Sequence, residues 1–84
     1  MDIKVAENLW ASSMLPEGIV ERWFFSDGAL VASGVPIAEV RIEDAVHEVL
    51  APMRGRLFIQ TAENAIIEPG SVLGQVEPLL DKAA

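Results

Sequence analysis

Residues 28–40 read GALVASGVPIAEV, and residues 64–76 follow the same pattern as NAIIEPGSVLGQV, at a constant offset of 36 residues. Each copy begins with a residue that tolerates positive φ, continues with an apolar pair, turns at a glycine and ends in a segment that closes with valine. One such strand–turn–strand unit cannot bury its apolar face alone. The repeat therefore predicts two related sheets that pack on each other with quasi-twofold symmetry.

The segments around the repeat also have the pattern of strands. Glycine and proline interrupt the chain at short intervals, and the stretches between them are rich in Val, Ile, Leu, Phe and Trp. We therefore predict an all-β fold, with a tight hairpin turn over residues 42–45. The predicted strands lie near residues 2–6, 18–25, 36–42, 45–50, 55–60 and 71–77. The leading core candidates are Val31, Ile37, Val40, Ile67, Leu73 and Val76, followed by Val20, Val49, Leu57 and Ile59.

Length and composition exclude several classes of protein. The 84 residues allow one domain, predicted at 1–77, with a flexible tail at 78–84. The absence of cysteine excludes a disulfide, a thiolate metal site and a Cys nucleophile. A net charge of −7 argues against nucleic acid and favours a partner with a basic face. No apolar run approaches the ~20 residues of a membrane span, and the N-terminus lacks the order of a signal peptide. We expect a soluble, cytoplasmic domain with no membrane partner.

The order of these segments resembles that of the lipoyl and biotinyl carrier domains. Residues 3–5 and 17–23 resemble the first two strands of that family. Residues 28–40 resemble its glycine-turned strand that leads to the attachment hairpin, and residues 51–55 (APMRG) resemble its A-P-x-x-G motif. The resemblance extends over residues 3–76. It implies a barrel-sandwich hybrid, a fold of two small antiparallel sheets with quasi-twofold symmetry.

The resemblance departs from the family at the hairpin tip. Lipoyl domains read Asp-Lys-Ala there, and the lysine amine accepts lipoate. An ungapped alignment gives Glu43-Asp44-Ala45, which puts Asp44 at the lysine position, and biotinyl-type methionines are absent from both flanks. A carboxylate is ionised at neutral pH and offers no nitrogen for an amide. The remaining lysines, Lys4 and Lys82, fall in the first strand and in the tail. We therefore predict that neither lipoate nor biotin is attached.

The loop over residues 8–16 is apolar for its position, because it carries Leu9, Trp10, Met14 and Leu15. These side chains either cap an open end of the barrel or form an exposed contact patch for a protein partner. In the family that the chain resembles, this loop lies near the attachment hairpin and helps a partner enzyme to recognise the domain. The resemblance thus implies a partner-contact loop.

No catalytic or metal site is predicted. The single histidine, His47, has no second ligand or nucleophile at a suitable spacing, so we expect it to face solvent on a strand. An acidic group surrounds the predicted tip: Glu39, Glu43, Asp44 and Glu48. Side chains on a hairpin are spread out and solvated. We therefore expect this group to steer partners rather than to bind a divalent cation.

Two functional hypotheses follow from the resemblance. The first is a non-catalytic, lipoyl-like domain that has lost cofactor attachment but retains contact with a protein, such as a component of a multienzyme complex. The alternative is a swinging-arm lipoyl or biotinyl carrier of a 2-oxo acid dehydrogenase or carboxylase-type complex, which would have to use another lysine. A module that binds a small molecule between the sheets is a third hypothesis. A stand-alone enzyme has the least support, because no acid–base or nucleophile arrangement is visible.

Overall fold

The computed structural model describes residues 1–11 and 13–79. Within these residues the chain forms eight strands and one short 3₁₀ helix. In chain order the elements are β1 (Asp2–Lys4), the 3₁₀ helix (Glu7–Trp10), β2 (Gly18–Trp23), β3 (Leu30–Val31), β4 (Pro36–Ile42), β5 (Ala45–Leu50), β6 (Gly55–Ile59), β7 (Ile66–Ile67) and β8 (Val72–Glu77). The six predicted strands agree with six of these to within two residues at each end.

The strands form two four-stranded sheets. The first sheet has the order β1-β8-β6-β3 and the second has the order β5-β4-β2-β7. All neighbouring strands in both sheets are antiparallel. The predicted all-β fold of two small antiparallel sheets is therefore confirmed.

The sequence repeat is also a structural repeat. An offset of 36 residues carries β3 onto β7 and the start of β4 onto the start of β8. The backbone has positive φ at the first residue of each copy, 88° at Gly28 and 71° at Asn64, and again at its glycine turn, 83° at Gly34 and 84° at Gly70. Only glycine and, less readily, asparagine adopt this conformation without much strain. These four positions fix the sharp reversals that the repeat requires.

Equivalent hydrogen bonds join each copy of the repeat to the other parts of the fold. The Gly28 amide donates to the Leu57 carbonyl at 2.7 Å, and the Asn64 amide donates to the Val20 carbonyl at 2.8 Å. Gly28 thus contacts β6 in the way that Asn64 contacts β2. The quasi-twofold symmetry therefore relates the whole of the first sheet to the whole of the second.

The core lies between the two sheets. All six leading core candidates are buried, as are three of the four that followed them, and Ile59 is half-buried against the core. No charged or polar side chain among the described residues is buried. The other buried apolar residues are Ile3, Val5, Trp10, Ala38, Ile42 and Ala51.

Three parts of the chain differ from the sequence prediction or lie beyond it. The strands β3 and β7 were not predicted, because two residues are too few to show alternation. Residues 7–10 form a 3₁₀ helix where a loop was expected; its N-cap, Ala6, makes no side-chain hydrogen bond, so no capping signal marked it. Of the predicted tail at 78–84, only Pro78 and Leu79 are among the described residues, and the domain boundary stays a prediction.

Candidate functional site at the β4–β5 hairpin turn

The hairpin between β4 and β5 ends in a two-residue turn, Glu43 and Asp44. Ile42 and Ala45 pair directly across it, so the predicted turn over residues 42–45 is confirmed. Glu43 has a φ of 55°, a left-handed conformation that residues with a side chain rarely adopt. Both turn residues are exposed to solvent. Asp44 therefore occupies a protruding position at the end of the second sheet.

The β1–β2 loop (residues 5–17) reaches this turn. The Met14 amide donates a hydrogen bond of 3.1 Å to Oε2 of Glu43. Next to it, Ser13 Oγ accepts a hydrogen bond from the Leu15 amide at 3.1 Å and donates one to the Leu15 carbonyl at 2.9 Å. Loop and hairpin turn therefore lie side by side, as the resemblance implied. The sequence carried no signal for the role of Ser13, which depends on the local turn of the backbone.

The four apolar side chains of the β1–β2 loop divide into two pairs. Trp10 is 8% exposed and belongs to the core, and Leu9 is half-buried against it. Met14 is 92% exposed and Leu15 is 56% exposed. The prediction of an exposed contact role for Trp10 is thus wrong, because the 3₁₀ helix turns this indole inward to cover the end of the core. Met14 and Leu15 are the residues that stay available to a partner.

A small open groove separates the β1–β2 loop from the hairpin. Its volume is about 310 Å³. His47 lies in this groove and is half-buried, on the same face of the second sheet as its cross-strand neighbour Val40. The expectation that His47 faces solvent is therefore wrong, because the loop covers part of that face. The groove is lined by Asn8, Leu9, Ala11, Ser13, Ile42, Glu43, Ala45 and His47.

Two ion pairs lie on the outer face of the second sheet. Arg41 donates to both carboxylate oxygens of Glu21, at 2.9 Å and 3.1 Å. These hydrogen bonds, with the attraction between the charges, lower the pKa of Glu21 and raise the pKa of Arg41. The second pair joins Arg22 to Glu39 at 3.2 Å. Glu39 is thus neutralised by a partner rather than being part of a free acidic group.

The hairpin turn itself remains negative. Among the described residues, the carboxylates of Glu43, Asp44 and Glu48 take part in no ion pair. Within the same residues, no three histidine or acidic side chains converge in a way that could hold a metal ion. The arrangement can attract a positively charged surface.

Neither lysine occupies the hairpin turn. Lys4 is exposed on β1, where it pairs with Val72 across the first sheet. Lys82 lies outside the described residues. In the part of the chain that the structure describes, no helix has the length and apolar character needed to cross a membrane.

Comparison with known proteins agrees with this architecture. No family model matches the chain. The solution structure of the lipoyl domain of the 2-oxoglutarate dehydrogenase complex from Azotobacter vinelandii superimposes with a TM-score of 0.71 and 24% identity, over 89% of this chain and 95% of that domain. An acetyl-CoA carboxylase from Dictyostelium discoideum is 28% identical over 60 residues, which are 71% of this chain and 3% of the carboxylase. The chain therefore has the fold of a lipoyl/biotinyl-type domain.

Proposed function

We propose that this chain is a non-catalytic, lipoyl/biotinyl-like domain that carries no cofactor and acts through contact with a protein partner. In this proposal Asp44 stands where carrier domains present their lysine. One observation supports it above the others: a carboxylate occupies the exposed two-residue turn of a hairpin in a fold of the carrier type. The similarities to a lipoyl domain and to a carboxylase give the class of protein from which such a domain would derive.

The chemistry of attachment explains the importance of residue 44. Lipoate or biotin is joined through an amide, whose nitrogen is supplied by the attacking amine while the activated carboxyl group loses its leaving group. The Asp44 carboxylate contains no nitrogen and is ionised at neutral pH. Glu43 and Ala45 cannot replace it, because neither side chain carries an amine. A ligase that recognised this turn would find no group to acylate.

The contact role is supported by the surface around the hairpin turn. Met14 and Leu15 expose apolar side chains next to the unpaired carboxylates of Glu43 and Asp44. An apolar centre with a charged rim is typical of a specific protein interface. A component of a multienzyme complex with a basic surface would suit this site.

A carrier role is the second candidate, because both similar proteins belong to systems with carrier domains. It would require Lys4 or Lys82 to accept the cofactor. Lys4 lies on a strand whose backbone is hydrogen-bonded to β8, rather than on a protruding turn. An arm attached at Lys4 would start from the side of the first sheet, which makes this candidate the weaker of the two.

Mass spectrometry of the intact protein from its native host tests the proposal. We expect the mass of the unmodified chain. An added lipoyl or biotinyl group on Lys4, Lys82 or any other residue would overturn the proposal and support the carrier role. Peptide mapping would identify the residue that carries the group.

A gain-of-function variant tests the position of residue 44. Asp44→Lys, co-expressed with lipoate ligase, should gain one lipoyl group, because the turn then reads Glu-Lys-Ala. Ala45→Lys is the matched control: its lysine would lie on β5, opposite Ile42, and should stay unmodified. Equal modification of both variants would show that the ligase does not read the turn, and would contradict the assignment of residue 44.

A further inference from the structure

The outer face of the second sheet carries a row of side chains that crosses all four strands. Val46 pairs with Arg41, Arg41 pairs with Ile19, and Ile19 pairs with Ile66. Direct cross-strand neighbours point to the same side of a sheet. Ile66 is 66% exposed and Val46 is also exposed, so this side faces solvent. Apolar groups thus form three of the four positions of a solvent-facing row.

The first sheet shows that the fold does not require this apolar row. The quasi-twofold symmetry carries Ile66, Ile19 and Arg41 onto the positions of Leu30, Arg56 and Glu77. These three also pair directly, Leu30 with Arg56 and Arg56 with Glu77. A charged residue therefore stands where the second sheet has Ile19. Because the fold accepts a charge at this position, the half-buried, outward-facing Ile19 is not a requirement of the barrel.

An open groove follows the apolar row to the β1–β2 loop. Its volume is about 350 Å³. Gly18 lines it with backbone alone, because this residue carries no side chain. The exposed side chain of Leu15 closes one side, so the apolar surface is continuous with the β1–β2 loop. The groove is lined by Leu15, Glu17, Gly18, Ile19, Arg41, Glu43 and Ile66.

The rim of this groove is negative. Its one cation, Arg41, donates from Nε and Nη2 to the two carboxylate oxygens of Glu21, so its charge is compensated. Glu17 and Glu43 are exposed, and neither has an ion-pair partner among the described residues. A groove with an apolar base and unpaired carboxylates at its rim favours a binding partner that carries positive charge.

We infer that this groove binds an amphipathic segment of a partner protein, with an apolar side chain against Ile19 and Ile66 and flanking lysine or arginine at the acidic rim. The inference rests on the proposed contact function and deepens it, since it gives the chemistry of the partner. A second copy of this chain fits less well. It would bring the carboxylates of Glu17 and Glu43 against their own counterparts, and like charges at an interface are repulsive.

Backbone NMR of the ¹⁵N-labelled full chain tests the inference with two synthetic peptides. One is an amphipathic helix of leucine and lysine; the other has glutamate in place of every lysine. The lysine peptide should shift the amide resonances of Leu15, Ile19 and Ile66 and should bind at least about tenfold more tightly than the glutamate peptide. Equal affinity for both peptides, or shifts confined to the first sheet, would overturn the inference.

A pair of equivalent residues provides the control. Ile66→Ser removes an exposed side chain from β7, and Leu30→Ser removes one of similar exposure, 57%, from the equivalent strand β3. Ile66→Ser should weaken binding of the lysine peptide about tenfold, and Leu30→Ser less than twofold. Equal weakening by both substitutions would show non-specific attraction and would contradict binding in the groove. If serine disturbs β7, Ile66→Thr retains the β-branch and should also weaken binding.

A loop variant separates this inference from the proposed function. Met14→Ser changes the exposed loop beside the hairpin turn without changing the groove lining. If Met14→Ser weakens binding and Ile66→Ser does not, the contact loop stands and the groove is refuted. If neither weakens binding, both are refuted. Slower diffusion with rising protein concentration, in the absence of peptide and abolished by Ile66→Ser, would assign the groove to a second copy and refute the basic segment.

Discussion

The two halves of this molecule share their strand order but differ in their first connection. The chain takes 13 residues, 5–17, to pass from β1 to β2, whereas it takes only four, 51–54, to pass from β5 to β6. Both connections start from the same framework: the Gly70 amide donates to the Val5 carbonyl at 3.0 Å, and the Gly34 amide donates to the Ala51 carbonyl at 2.9 Å.

The difference in length between the two connections shows which part of the longer one the fold does not require. Four residues close the unit in one half, so a long connection is not a requirement of the barrel. The longer one contributes the buried Trp10 and the exposed Met14 and Leu15 next to the hairpin turn. The symmetric framework therefore carries a local addition, which places two exposed apolar side chains beside the hairpin turn.

The largest expected effect tests the equivalence of the two halves. Gly18 and Gly55 begin β2 and β6, and both lie against a neighbouring backbone. An alanine Cβ at Gly18 would lie 2.7 Å from the Arg41 carbonyl oxygen, and one at Gly55 would lie closer still to that of Glu77. Gly55→Ala should reduce the free energy of unfolding by about 3 kcal/mol and Gly18→Ala by about 2 kcal/mol. Urea denaturation measures both, and a large cost at one glycine with none at the other would contradict the equivalence.

The next effect compares side chains from the long and the short connection. Trp10→Ala should reduce the free energy of unfolding by about 3 kcal/mol, because a buried indole is lost from the end of the core. Met53→Ala, in the short connection, should cost about 1 kcal/mol, because Met53 is only half-buried.

Trp10→Phe sharpens this comparison. The indole N–H of Trp10 is buried and has no hydrogen-bond acceptor among the described residues. Phenylalanine retains most of the apolar burial and removes this N–H, so the cost should be about 1 kcal/mol or less. Thermal or urea unfolding measures it. A loss as large as that of Trp10→Ala would mean that the indole N–H is satisfied in solution.

The fold could be predicted from the sequence because its determinants are local and periodic. Gly28, Gly34, Asn64 and Gly70 fix the reversals at matched positions, and the apolar residues around them alternate with a period of two. The turn at residues 42–45 follows from the same alternation in the strands on either side. The core residues could be predicted for the same reason, because the inward-facing positions are defined once the strands are known.

The surroundings of the site could not be predicted in the same way. Trp10 is buried only because the 3₁₀ helix packs against residues distant in sequence, and the Met14–Glu43 hydrogen bond joins residues 29 apart. The outward-facing row through Ile19 and Ile66 depends on the register of three strand pairs. The alternation of apolar and polar residues within a single strand does not specify that register.

A smaller effect tests the contact between the β1–β2 loop and the hairpin turn. Glu43→Ala removes the acceptor for the Met14 amide and should make Met14 and Leu15 more mobile on the ps–ns timescale. The free energy of unfolding should change by less than about 1 kcal/mol, since this hydrogen bond is exposed. Glu48→Ala, on the same hairpin, is the control and should leave ¹⁵N relaxation of the loop unchanged. Equal relaxation in all three proteins would exclude a role for Glu43 in holding the loop.

The smallest effect concerns the Glu21–Arg41 ion pair. In the row, Arg41 lies next to the uncharged Ile19, whereas the equivalent residues of the first sheet, Glu77 and Arg56, are both charged. The pKa of Glu21 lies below its ordinary value of 4.5 because Arg41 donates to its carboxylate. A carboxyl group with a lowered pKa stabilises the fold above its ordinary pKa, and this contribution is lost as the pH falls through the folded value. Titration of the Glu21 carboxyl ¹³C resonance measures it. Arg41→Gln should return the pKa towards 4.5, and no change would show that Arg41 does not interact with Glu21 in solution.

Met1 and the hairpin turn lie at opposite ends of the domain. The Met1 amino group donates to the Val76 carbonyl at 3.0 Å, so the first residue and the end of β8 lie together. The β1–β2 loop leaves β1 at its opposite end and runs to the hairpin turn. Six residues of β8 span about 20 Å between these two ends. A polypeptide joined to Met1 would therefore meet the domain at the end far from Asp44 and would leave the hairpin turn unobstructed.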